Sequence, residues 1–186
     1  MIEKEIKALI SKSQYENIFN SFEWNKIFVQ VNHYYVDPDG AQKNSNISIR
    51  VREANNSIKL QMKKPITLSG MLHVEDEYEY EYSFDAVPDI ITNLNVRDIK
   101  LVSAKKIGEL ITKRCVYYFD KFTEICLDKN EYLNFIDYEL EVEFNGDLPY
   151  KVKIWLENLG INNNSFVPGK YSRFMTRKNE VGEDLK

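Results

Sequence analysis

Apolar and polar residues alternate along Ile47-Ser48-Ile49-Arg50-Val51-Arg52 and again along Ile58-Lys59-Leu60-Gln61-Met62-Lys63. This period of two sends successive side chains to opposite faces of a strand. Asn55-Asn56 between them suits a two-residue turn with positive φ, so the two segments are predicted to form a hairpin. Val116-Tyr117-Tyr118-Phe119 and Glu124-Ile125-Cys126-Leu127 read as a second hairpin turning at Asp120-Lys121. Further strands are expected over Ile2–Lys7, Phe28–Val36, Val74–Tyr82 and Tyr138–Phe144. Helical patterns are fewer. Ser13-Gln14-Tyr15-Glu16 has the capping-box form, and Tyr15, Ile18, Phe19 and Phe22 follow at helical spacing. A second amphipathic helix carries Val152, Trp155, Leu156 and Leu159 and stops at Gly160. Weaker helical patterns cover Val87–Leu94 and Lys170–Lys178. Many strands with few helices predict an α+β fold whose antiparallel sheet is large enough to close.

The chain has 186 residues, 43% of them hydrophobic, with no linker, repeat or low-complexity block. These values point to a single domain over residues 1–186, with a frayed acidic tail over 180–186. A net charge of −4 argues against a general nucleic-acid coat while leaving room for a local basic pocket. No apolar run approaches the ~20 residues of a membrane span, and Glu3, Lys4 and Glu5 leave no room for an apolar leader ahead of them. Two cysteines are too few for a disulfide scaffold, so a cytoplasmic location is expected. The register of the second hairpin pairs Cys115 with Leu127, which argues against a disulfide to Cys126. Asp37-Pro38-Asp39-Gly40 is read as a reverse turn, because a calcium loop starting at Asp37 would need Gly and Glu where Gln42 and Ser48 stand. His33 and His73 lack zinc-like spacing and are read as structural.

Charge within the strands changes the picture. Glu3, Glu5 and Lys7 share one face, as do Arg50 and Arg52; Lys59 and Lys63; Glu77, Glu79 and Glu81; and Glu139, Glu141 and Glu143. Such stripes are ordinarily solvated outer faces around an apolar core. Pairing arithmetic weakens that reading: a turn at Asn55-Asn56 sets Arg52 opposite Lys59, and like charges directly opposite are unfavourable. Around the second turn Arg114 faces Asp128, an ordinary opposite-charge pair. Cations therefore segregate from carboxylates, the arrangement that a polyphosphate and a hard divalent ion would fill together. Burying so many charges dry would be prohibitive, so the inward faces should surround a wet tunnel.

Glu3-Lys4-Glu5-Ile6-Lys7 resembles the Glu-x-Glu-x-Lys opening of the CYTH domain, the triphosphate tunnel metalloenzyme superfamily. Ile49-Arg50-Val51-Arg52 resembles its paired-arginine strand, and Leu60-Gln61-Met62-Lys63-Lys64-Pro65 its lysine strand. Thr112-Lys113-Arg114 is similar to the later basic strand, and Leu127-Asp128 with Asp137–Glu143 to the closing acidic strands. The bacterial YjbK-like branch is the most similar. The resemblance implies an eight-stranded antiparallel β-barrel forming a charged tunnel, with helices packed outside. It implies Mg²⁺- or Mn²⁺-dependent hydrolysis of a triphosphate, inorganic or organic; class IV adenylate cyclisation and non-catalytic polyphosphate or nucleotide binding are the alternatives. Glu3, Glu5, Glu139 and Glu141 would hold metal. Lys7, Arg50, Arg52, Lys59, Lys63, Arg114 and Arg173 would hold phosphate oxygens, Arg173 standing where relatives commonly have Lys. Glu5, Arg52, Lys63 and Asp128 would carry catalysis, with Asp128 orienting a metal water or Arg114. Glu75 and Glu77 match the mid-barrel acidic position. The partner is a small triphosphate or nucleotide, and a homodimer fits the family; the loop Ala41–Asn46 is placed to cover a tunnel mouth.

Overall fold

The structure is a computed structural model that describes residues 2–38, 47–80, 86–96, 99–161 and 166–183. The expected loop Ala41–Asn46, the strand end at Glu81 and Tyr82, and the last three residues of the chain lie outside the described residues.

Among the described residues nine strands form one antiparallel sheet: β1 (Ile2–Ile10), β2 (Lys26–Val36), β3 (Ser48–Ala54), β4 (Ser57–Ser69), β5 (Leu72–Tyr80), β6 (Ile90–Val96), β7 (Ile99–Tyr118), β8 (Thr123–Tyr132) and β9 (Phe135–Phe144). Their order is β2-β3-β4-β5-β1-β9-β8-β7-β6, and a further pairing of β2 with β7 closes eight of them into a barrel. β6 stands outside the ring and, among the described residues, pairs only with the start of β7. Three helices lie outside the wall: α1 (Lys12–Phe19), α2 (Tyr150–Asn158) and α3 (Lys170–Glu183). Among the described residues no helix is long and apolar enough to cross a membrane.

The expected hairpins form in the expected registers. Asn55 and Asn56 sit at φ 50° and 61°, which pairs Ala54 with Ser57 and Arg52 with Lys59. Arg114 pairs with Asp128 and Cys115 with Leu127, and both cysteines are free. Four readings need correction. The α1 cap is Ser11, not Ser13: its hydroxyl accepts from the Gln14 backbone N–H, while the Gln14 side chain takes the Ser11 N–H. Phe22 lies beyond the end of α1 and packs edge-on against Trp155 instead. The Val87–Leu94 pattern is not helical; Ile90–Val96 is strand β6, because Ile91 is buried on the barrel wall beside Ala104 and Met62. α3 continues to Glu183, so the helix takes in residues read as tail from Glu180.

The apolar core is a jacket around the barrel rather than its filling. Ile6, Ala8, Ile125, Leu127, Leu140 and Val142 face outward and are covered by Tyr15 and Ile18 of α1 and Val152 and Leu156 of α2. A second cluster covers the outer faces of β3 and β4 under Ile91 and Ala104. α3 lies across one mouth, where Phe174 is fully buried among Tyr34, Leu110 and Tyr132. The close approach depends on Gly108, held at φ 150°, where an added Cβ would stand 2.7 Å from the Phe174 ring.

Candidate active site

Because side chains alternate along each strand, an apolar outer stripe forces the charged stripe inward. Glu3, Glu5 and Lys7 of β1, Arg50 and Arg52 of β3, Lys63 of β4, Glu75 and Glu77 of β5, Arg114 of β7 and Glu141 and Glu143 of β9 line one cavity of about 1690 Å³. That volume exceeds the roughly 300–1,000 Å³ of an ordinary ligand pocket. The solvated-outer-face reading fails for these stripes. Lys59 does not reach the interior; it is half-exposed at the rim and pairs with Glu79.

Toward the open end, the Lys63 ammonium pairs with Glu3 and lies 3.3 Å from Glu77 and 3.5 Å from Glu75. Arg50 donates to Gln61 at 2.9 Å and to Glu77 at 3.2 Å. Burial works against ionised Glu77, but Lys63 and Arg50 prevail and hold its carboxyl down to about 2. Arg52 is different. Its Nε donates to the Asn32 amide oxygen at 2.9 Å, and among the described residues it pairs with no carboxylate. Burial, then the neighbouring charges of Arg50 and Arg114, pull its guanidinium down to about 10.

Toward the end covered by α3, the charges are tightly matched. Arg114 makes a fork of two hydrogen bonds to Asp128, at 2.9 and 2.7 Å, and also pairs with Glu141. Lys7 lies 2.7 Å from Glu5 and 3.3 Å from Glu141. Lys170, the first residue of α3, contacts Asp128 at 2.9 Å, Glu139 at 2.5 Å and Glu141 at 2.8 Å. One turn on, Arg173 binds Asp137 at 2.9 Å, Glu139 at 3.0 Å and the Pro168 carbonyl at 2.6 Å.

The four carboxylates expected to hold metal fall into two groups. Oxygens of Glu3 and Glu5 gather within 4.8 Å with Glu143, whereas Glu139 and Glu141 gather with Asp128. The register explains the split: β1 pairs Glu5 with Glu143 and Lys7 with Glu141. The Glu3–Glu5–Glu143 group fits a hard divalent cation by its all-oxygen donor set. Burial pushes Glu5 up to about 8, against Lys7 and Lys63 and with help from Glu141 and Glu3. Burial likewise lifts Glu143 to about 7, despite Arg114. In both, burial outweighs the cations nearby, Lys7 beside Glu5 and Arg114 beside Glu143. At the other cluster, burial is outweighed by Lys170 and Arg173, and Glu139 is held at about 2.

Sequence reading therefore missed two residues. Glu143 stood in the correct stripe, and only strand pairing singles it out. Lys170 lies three residues before Arg173, a spacing that puts both on one helix face, and that was the available signal. Arg173 itself is spent on Asp137 and Glu139 and does not line the cavity.

A comparison with curated protein sequences finds no match. Among solved structures, a Bacillus halodurans protein provisionally described as an adenylate cyclase is 23% identical, with a TM-score of 0.68 over 91% of this chain and 95% of its own. HpAC1 from Hippeastrum, described as having a dominant triphosphatase activity, is 23% identical with a TM-score of 0.67 over 94% and 95% of the two chains. The RNA triphosphatase domain of the mimivirus mRNA capping enzyme is 14% identical with a TM-score of 0.53 over 86% of each chain. At these identities the likeness is one of fold. With the CYTH domain model matching residues 1–171, and a closed, charge-lined barrel behind the match, the chain belongs to the CYTH domain family.

Proposed function

We propose that this chain is a metal-dependent triphosphatase that hydrolyses a linear triphosphate inside its barrel. The observation that carries this reading is a guanidinium and a carboxylate trio facing the same tunnel. Arg52 is a guanidinium without a carboxylate partner among the described residues, and Glu3, Glu5 and Glu143 bring carboxylate oxygens within 4.8 Å of one another, a grouping able to hold a metal ion. An anion for the first and a cation for the second is what a metal–triphosphate complex brings.

Arg50, Arg52, Lys63, Arg114 and Lys7 hold the phosphate oxygens, the arginines by two-pronged contacts and the lysines as point charges. Glu3, Glu5 and Glu143 hold Mg²⁺ or Mn²⁺, which when bound neutralises phosphate charge and lowers the pKa of water. Asp128, fully buried, acts through its fork on Arg114 and is a positioning residue. Catalysis of this kind is mostly placement and electrostatics, with little covalent chemistry left to the protein. The triphosphatase activities described for HpAC1 and for the mimivirus domain support hydrolysis, and the provisional description of the Bacillus protein keeps cyclisation of ATP as the second reading.

The test is incubation of the protein with tripolyphosphate, ATP or thiamine triphosphate, with Mg²⁺ or Mn²⁺, measuring phosphate and cyclic AMP. Phosphate release that disappears with chelator is expected. Glu5→Gln should reduce it at least a hundredfold while circular dichroism stays unchanged. Cyclic AMP as the main product would favour the cyclase, and tight tripolyphosphate binding without turnover would replace the enzyme with a binding module.

A further inference from the structure

Arg50 and Arg52, on the inward face of β3, are each held at Nε by an uncharged amide. Arg52 Nε donates to the Asn32 oxygen of β2 at 2.9 Å, and Arg50 Nε donates to the Gln61 oxygen of β4 at 2.9 Å. Both amides are buried, and each stands directly opposite its arginine in the sheet register. A guanidinium only donates, so each amide must turn its oxygen toward it. Asn32 then points its Nδ2 protons where they meet no acceptor among the described residues, while Gln61 Nε2 donates to Glu79 at 3.0 Å.

Arg114 has Asp128 in the same directly opposite position, and there a carboxylate takes Nε and Nη2 together. The register therefore sets an amide against two inward arginines and a carboxylate against the third. The two kinds of partner differ in charge as well as in contact. Asp128 offsets the charge it holds, whereas Asn32 fixes the Nε of Arg52 and leaves its charge whole. β2 carries no Asp or Glu along its length, and Glu53 of β3 is on the outer face, paired with His33.

We propose that Asn32 and Gln61 are positioning residues for anion binding: neutral braces that aim Arg52 and Arg50 into the tunnel without neutralising them. Each brace occupies Nε and leaves the two terminal nitrogens as a fork for phosphate oxygens, one of which Arg50 shares with Glu77 at 3.2 Å. A guanidinium held in place before the anion arrives loses less freedom on binding it. The proposal rests on the triphosphatase reading only for the anion being a linear triphosphate.

The experiment is a calorimetric titration of tripolyphosphate into the full chain with chelator present, so that binding is read without turnover, beside a melting curve of the ligand-free protein. Asn32→Asp keeps an oxygen on the Arg52 Nε and adds the charge that the amide withholds. It should weaken tripolyphosphate binding by about tenfold or more. The ligand-free midpoint should stay where it is or rise, because a buried charge gains a partner. Affinity within about twofold of wild type would mean that contact alone matters, and overturns the proposal. A midpoint that falls together with the affinity also overturns it, since that marks Asn32 as a structural residue. Should Asn32→Asp not fold, Gln61→Leu decides at Arg50: losing the brace should weaken binding by about tenfold, and unchanged affinity overturns the proposal. Wild type that binds tripolyphosphate more tightly than Asn32→Asp, yet releases no phosphate with Mn²⁺, would leave this inference standing and remove the function. Metal-dependent hydrolysis, with Asn32→Asp binding like wild type, would do the reverse.

Discussion

Arg52 of β3 and Glu77 of β5, with β4 between them, carry opposite lessons about charge inside the barrel. Arg52 lacks a compensating carboxylate among the described residues, and the Asn32 amide nitrogen beside it is also without a partner. Its guanidinium is thus held ready for a ligand at the expense of the empty fold. Replacing an uncompensated buried charge by an apolar side chain is often neutral or stabilising. Arg52→Met should therefore lower kcat/KM on tripolyphosphate by about 10²–10³-fold. The same variant should leave the thermal midpoint of the ligand-free protein unchanged or raise it by a few degrees. Turnover assays and a melting curve on one preparation read both. Glu77 is compensated, by Lys63 and Arg50. Its carboxyl is held at about 2 against an ordinary 4.5. A depressed carboxylate stabilises the fold above its unfolded pKa and loses that contribution as pH falls through the folded one. Urea midpoints should accordingly fall between pH 4.5 and 2, and Glu77→Gln should remove about 3 kcal/mol of that dependence.

At the scale of elements, strands whose two faces differ chemically were legible, and those judged by apolar spacing alone were not. The β3–β4 hairpin follows from strict alternation and two asparagines suited to positive φ, so its register was predictable to the residue. The β8–β9 turn uses Leu133 and Asn134 at φ 47° and 58°, and leucine gives no local hint of that conformation. β6 was misread because Val87, Ile90, Ile91 and Leu94 also satisfy helical spacing. What selects the strand is the open edge of β7 and the apolar wall beneath Ile91, neither of which is local. α3 depends on a comparable long-range fit, Phe174 seated on Gly108. Gly108→Ala would drive a methyl into that ring at a φ unsuited to alanine, costing about 1–3 kcal/mol. Because α3 carries Lys170 and Arg173 into the barrel, the same change should speed proteolysis near Lys178 before the barrel itself melts.

At the scale of the whole molecule, the barrel is turned inside out relative to a globular sheet protein, with its oil outside and its charge within. Neither half of a metal–triphosphate complex alone serves both Arg52 and the Glu3–Glu5–Glu143 group. Tripolyphosphate with Mn²⁺ should therefore raise the thermal midpoint more than the sum of the two added separately. The joint stabilisation should be about 2.7 kcal/mol at a hundredfold excess over Kd, and chelator should reverse it. Differential scanning fluorimetry would show the excess, and strict additivity would contradict the shared site. The sequence by itself determined which side chains share a face, the register of two hairpins and the segregation of sign, because alternation is a property of the backbone. Closure of β2 onto β7 was decided by tertiary structure, as were the choice of Glu143 over Glu139 as neighbour to Glu5 and the burial of Lys170 among three carboxylates. Those outcomes depend on which distant strands meet and where a helix comes to rest, and such contacts leave no periodic trace along the chain.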